Sequence, residues 1–271
     1  MSIEIYAVPP SPRAFKAIAV ANHLGIDITI RRLDFSKGEH KTPEYAALNP
    51  NILMPTLRDG DYVLWESNAI MQYLAGKKPE SGLLPSDERG RLDVTRWQFW
   101  DLAHWDPAVA PLLLEKFVKP KILGVSEIDQ AAVARSTEMF HRAAAVLEGQ
   151  LEGRRYVTGD TLTLADFALG APLNYADKGC FPLEPYGEIR RWHAGLMALP
   201  AWQNTIAQSG LPPTRAAAAA KRRLAIARPL ASTPPAFGSE PGQWVLRSSS
   251  SVSSSSSART SSSRNARRAP R

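Results

Sequence analysis

Asn49-Pro50-Asn51-Ile52-Leu53-Met54-Pro55-Thr56-Leu57, then Asp59-Gly60, then Glu66-Ser67-Asn68-Ala69-Ile70, is the stretch on which the fold turns. Proline has no N–H for a sheet ladder, so Pro55 fits the opening of a strand rather than its middle. Thr56-Leu57-Arg58 and Tyr62-Val63-Leu64 are short strand signals, and Asp59-Gly60 between them signals a tight hairpin. Ser67 opens a helix through Ala69, Ile70 and Tyr73 that ends near Gly76. The stretch therefore reads as strand, strand, helix.

Upstream, Ile3 to Val8 alternates apolar and polar residues and predicts a first strand, stopped by Pro9-Pro10. Ser11-Pro12 reads as a helix cap followed by proline at the first helical position. The helix then runs through Phe15, Ile18 and Ala21 to a stop near Gly25. Ile26 to Leu33 is rich in β-branched residues and predicts a second strand. A strand–helix–strand unit implies parallel pairing. Downstream, Pro79 to Pro85 reads as a linker. From Glu88 on, helical patterns take over: Arg91–Ala103, Ile128–Leu151, Leu164–Ala176 and Glu188–Met197. Runs of strands followed by runs of helices predict two subdomains.

The net charge of +7 is concentrated at one end. Residues 214–271 hold eleven Arg or Lys and one acid, Glu240, leaving 22 basic and 25 acidic residues in 1–213. A basic pI therefore describes the tail and argues no nucleic-acid surface on the body. The serine runs and Pro234-Pro235 of the tail predict disorder, with a short basic helix over 216–226. One cysteine, Cys180, excludes an internal disulfide and fits a reducing compartment. The N-terminus lacks the pattern of a signal peptide, and no apolar run is long enough to span a membrane. These features predict a soluble, cytoplasmic protein. His104 has no second ligand at metal spacing, so no metal is predicted.

The combination of Asn49-Pro50, Pro55 and Glu66-Ser67 with the strand order above resembles the glutathione-binding half of glutathione transferases. The resemblance spans about residues 1–207, and is nearest to serine-type, theta- and phi-like bacterial sequences. It implies an N-terminal thioredoxin-like βαβ-ββα domain followed by an all-α helical bundle domain (α+β, then α). The expected boundaries are 1–78, a linker 79–87, the helical domain 88–213 and the tail 214–271. It implies a cis bond before Pro55, with the backbone of Met54 turned to pair with glutathione as an added strand. It implies the γ-glutamyl carboxylate at Glu66-Ser67, where free N–H groups favour an anion, and the glycine carboxylate at His40 and Lys41.

Ser11-Pro12-Arg13-Ala14-Phe15-Lys16 resembles the catalytic stretch of the serine-type classes. A hydroxyl aimed at sulfur stabilises the thiolate, and the helix N-terminus adds to it. Ser11 is equally an ordinary helix cap, and Tyr6 is its competitor for the catalytic role. Leu53 departs from the family, which often carries glutamine or lysine there as a glutathione contact. Thr163 with Asp166 forms a capping box, so Asp166 is a folding residue. Trp100, His104 and Trp105 are candidates for an apolar second-substrate pocket, or for core.

The implied reaction is attack of the glutathione thiolate on a small hydrophobic electrophile. Glutathione is a co-substrate, there is no permanently bound cofactor, and the chain forms a homodimer. A glutathione-dependent disulfide reductase or peroxidase, or a non-catalytic binding scaffold, are the alternatives on the same fold.

Overall fold

The computed structural model describes residues 2–8, 11–35 and 37–210. The first strand, β1 (Ile3–Ala7), buries Ile3, Ile5 and Ala7 on one face, as its alternation requires. Helix α1 (Pro12–Leu24) follows, and Gly25 ends it in the left-handed conformation at φ 62°. Strand β2 (Ile28–Arg32) returns parallel to β1. After the short helix α2 (Pro43–Leu48), strands β3 (Thr56–Asp59) and β4 (Tyr62–Trp65) form the hairpin. Helix α3 (Ser67–Gly76) closes this half. The sheet order is β2-β1-β3-β4, with β3 antiparallel to both neighbours.

The hairpin loop corrects the expectation by one residue. Asp59 still pairs with Tyr62, so the two loop residues are Gly60 and Asp61. Gly60 takes φ 66°, the left-handed region such a turn demands of its first residue. Asp59 is thereby free to accept from the Tyr73 hydroxyl at 2.8 Å and from Lys77 at 2.6 Å, pinning the hairpin to α3.

The remainder is helical: α4 (Glu88–Trp100), α5 (Asp106–Leu113), α6 (Lys119–Lys121), α7 (Gln130–Leu151), α8 (Leu164–Gly170), α9 (Ala176–Gly179), α10 (Gly187–Met197) and α11 (Pro200–Ser209). Three helical segments lie outside the sequence reading. Pro43–Leu48 is only six residues long. The run from His104 to Lys121, past the predicted helix end at Ala103, is punctuated by Pro107, Pro111 and Pro120, which signal breaks. The backbone stays helical there by widening into π turns at Asp101–Trp105 and Leu114–Val118. Pro200–Ser209 is weakly amphipathic, yet it packs on α1, with Trp202 edge-on to Phe15 at 5.1 Å.

Helix α1 is the centre of this body. Every residue from Ala14 to Ala21 is buried, including Lys16. A helix apolar nearly all round must be covered on all sides. The sheet and α3 cover one side; α8 and α11 of the helical half cover the other. The capping box at α8 forms as expected, with Asp166 accepting from Thr163 N at 2.9 Å. Asp166 also accepts from Val157 N and from the Trp192 indole, both at 2.9 Å, so it fastens a loop and α10 to the same helix start. The predicted tail helix and tail disorder lie outside the described residues.

Candidate active site

The loop before β3 is held by two buried side chains. Asn49 donates from Nδ2 to the Leu53 carbonyl at 2.7 Å and to Thr56 Oγ1 at 3.1 Å. Its Oδ1 accepts from the Asn51 backbone at 3.0 Å. Tyr45 donates its hydroxyl to the same Leu53 carbonyl at 2.6 Å and pairs with Thr56 Oγ1 at 2.9 Å. Burial raises the Tyr45 phenol above its usual range, so it stays a neutral donor. These contacts fix the chain on both sides of the Met54–Pro55 bond, which is cis. Pro55 is buried, and Met54 lies just before the β3 ladder, whose first β4 pair is Thr56–Trp65. No described backbone group hydrogen-bonds the Met54 amide or carbonyl. That leaves one donor and one acceptor side by side at the end of a strand, an arrangement that accepts an extended peptide.

Ser11 sits where β1 gives way to α1. It occupies the cap position with extended φ −68° and ψ 134°, yet its side chain makes no cap hydrogen bond. The ordinary explanation of a serine at that place, satisfying its own helix, is therefore not what its hydroxyl does. The half-buried oxygen stands at the positive end of a thirteen-residue helix.

Glu66 and Ser67 stand at the start of α3. Glu66 is exposed and takes φ 72°, outside the normal range for a residue with a side chain. Such backbone is held by its surroundings and is typical of functional turns. Ser67 is buried, is the first residue of the helix, and its hydroxyl has no hydrogen-bond partner among the described residues. His40 lies 5% exposed in the 3-10 turn Glu39–Lys41, stacked on Phe35 at 4.2 Å. Its Nδ1 is buried with no partner among the described residues. Lys41 is exposed, and no described residue forms an ion pair with it. Leu53 is 64% exposed: its side chain is unburied, while its carbonyl is the anchor of the loop.

Behind α1 and α3 lies a polar contact that the sequence reading did not find. Lys16 and Asp101 form a buried ion pair at 2.8 Å, with side chains 5% and 4% exposed. Asn68, next to Ser67, donates to the Gln98 carbonyl at 3.0 Å and reaches Asp101 at 3.4 Å. The contact thus ties both helix starts of the site to the helical half. Burial pushes the Asp101 carboxyl up, against the pull of Lys16. Arg13 pairs with Asp106 in the same way at the surface. Lys16 was legible as the basic residue of its motif, but its partner 85 positions away left no local signal.

The aromatic candidates separate. Trp100 and His104 line a groove of about 270 Å³ with Met139, Arg142, Ala143 and Val146 of α7. None of the residues above lines that groove. Trp105 is fully buried and donates its indole N–H to the Leu169 carbonyl at 3.0 Å, so it belongs to the core. The start of α5 is tied to the start of α1 through Arg13 and Asp106. No group of three or more His, Cys, Asp or Glu among the described residues is arranged to hold a metal.

Residues 1–76 match the family model for the glutathione S-transferase N-terminal domain, and residues 130–195 match that for a glutathione S-transferase C-terminal domain. Glutathione S-transferase 3 of Zea mays is 35% identical over 219 residues, covering 78% of this chain and 96% of the maize protein. The solved apo structure of a glutathione S-transferase III superposes with a TM-score of 0.70 at 32% identity, covering 79% of this chain and all of that one. A theta-class glutathione S-transferase of Xanthomonas axonopodis pv. citri, solved with glutathione bound, superposes with a TM-score of 0.68 at 29% identity. It covers 76% of this chain and 97% of that one.

Proposed function

Since the chain belongs to the glutathione S-transferase family, we propose that it is a glutathione transferase that holds the thiol of glutathione as its anion at Ser11 and delivers it to a small apolar electrophile. The observation that carries this reading is the Ser11 hydroxyl, placed at a helix start without capping it. A hydroxyl donating to sulfur favours the thiolate over the thiol, and the helix dipole adds in the same direction. The thiol proton leaves to solvent. The sulfur forms a bond to carbon as the leaving group departs with its electron pair.

The rest of the cradle positions the tripeptide. Met54 supplies a backbone N–H and C=O to the cysteinyl part. The start of α3, with the unpartnered Ser67 hydroxyl, takes the γ-glutamyl carboxylate. His40 and Lys41 take the glycine carboxylate, which gives the buried Nδ1 of His40 the partner it lacks. Leu53 contributes apolar contact only. In this reading residues 1–78 bind glutathione, and residues 88–213 supply the wall for the electrophile. That wall begins at the start of α5, where Asp106 pairs with Arg13 of α1, rather than at Trp100 and His104.

The groove at Trp100 and His104 instead suits a second copy of the chain. Leu92, Phe99, Met139 and Val146 are exposed on α4 and α7, and Tyr62 and Trp65 are exposed on β4. Two apolar faces on the two halves allow a two-fold dimer in which each copy contributes both.

Ser11→Ala tests the catalytic assignment. Conjugation of chlorodinitrobenzene should fall about a hundredfold or more, as for loss of one preorganised donor, while calorimetry still shows glutathione binding. Unchanged turnover would remove Ser11 from the mechanism. A hydroxyethyl disulfide assay run in parallel separates conjugation from disulfide reduction.

A further inference from the structure

A second cavity lies wholly within the helical half, between the Leu173–Phe181 segment and α10. Its volume is about 490 Å³, within the range of small-molecule sites. It shares no residue with the glutathione cradle. Its buried floor is Leu173, Phe181, Ile189 and His193; Asp177, Glu184 and Arg190 are exposed at its rim.

Two features of the lining point to a ligand. First, His193 is 9% exposed and its Nε2 is buried without a hydrogen-bond partner among the described residues. An imidazole left so on an otherwise apolar floor invites a polar group. Burial lowers its pKa to about 4, so at neutral pH it is uncharged and offers one donor and one acceptor. Second, neither Asp177 nor Glu184 is ion-paired to a described residue. With His193 neutral, the lining carries two carboxylates and one guanidinium, and it favours a cation over an anion.

We infer that this cavity binds a small organic cation: an aryl-alkylamine with a ring hydroxyl, its ring on Leu173, Phe181 and Ile189, its hydroxyl on His193 and its ammonium at Asp177 and Glu184. The inference is independent of glutathione chemistry.

Cys180, exposed at the rim and the only cysteine of the chain, supplies the assay. The full-length protein is treated with dithionitrobenzoate, and the single modification rate is followed against increasing tyramine. Tyramine should slow modification with a saturable dependence. Phenethylamine, which lacks the hydroxyl, should need about fivefold more for the same effect, as for one hydrogen bond. The anion 4-hydroxyphenylacetate should not protect. The surface pair Asp177→Asn/Glu184→Gln should weaken tyramine about fivefold, as for exposed charge pairs. No saturable protection by tyramine up to about 10 mM, an affinity too weak to mark a built site, overturns the inference. So does equal protection by the anion, or protection unchanged in the double variant.

Discussion

Replacing Lys16 by Met keeps the length of the side chain and removes the one cation that pairs with Asp101 among the described residues. The Asp101 carboxyl is 4% exposed, and its remaining partner is Asn68 at 3.4 Å. Removing one partner of a buried ion pair leaves an uncompensated charge and costs about 3–5 kcal/mol. For a body of this size each kcal/mol lowers the melting temperature by roughly 2–4 °C, so the fall should be roughly 6–20 °C. The pH dependence gives the argument a second edge. Burial already raises the Asp101 pKa above its ordinary value, and losing Lys16 raises it further. A folded-state pKa above the unfolded one means that the folded form binds the proton more tightly. The penalty is therefore full at high pH and shrinks as pH falls through the raised pKa. The assay is urea unfolding at pH 8 and pH 5 for the parent, Lys16→Met, Asp101→Leu and the double variant. The double variant removes both charges and should recover most of the stability lost in Lys16→Met. A loss under about 1 kcal/mol, the value of an exposed pair, would refute the reasoning, as would a loss equal at both pH values.

Two further outcomes follow from other buried groups. Asn49→Ala leaves the Leu53 carbonyl with Tyr45 alone and frees the loop before Pro55; it should cost about 1–3 kcal/mol in denaturant unfolding and raise the KM for glutathione more than it lowers kcat. His193, held at a pKa of about 4 against an unfolded value near 6.5, contributes stability that is complete above the unfolded value. That stability is lost as pH falls toward 4, by at most roughly 3–4 kcal/mol. Unfolding of His193→Gln should show a shallower fall in stability between pH 6.5 and pH 4.5 than the parent, and an identical slope would contradict the burial argument.

Much of the fold was written locally. Alternation in Ile3–Ala7, the proline after Ser11, the glycine after Leu24 and the box Thr163–Asp166 each act within a few residues, and each formed its element. The hairpin moved by one residue because strand pairing, not the Asp-Gly dipeptide, sets where the loop starts. The helical run past Ala103 to Lys121 escaped notice because its prolines remove α-helical hydrogen bonds; the chain stays coiled there through π turns while packing against α7 and α9.

The sequence by itself determined the order of the strands and of the helices it marked, the proline at the start of β3 and the serine at a helix start, because propensity, capping and turn chemistry depend on neighbours along the chain; the cis form of the Met54–Pro55 bond was implied by the family resemblance. Tertiary structure alone decided the rest. It put Trp105 in the core and turned Trp100 and His104 toward α7 rather than toward Ser11. It also joined Lys16 to Asp101 and left His193 Nε2 without a hydrogen-bond partner among the described residues. Burial and charge pairing are properties of what folds against a residue, and that is fixed only when distant segments meet.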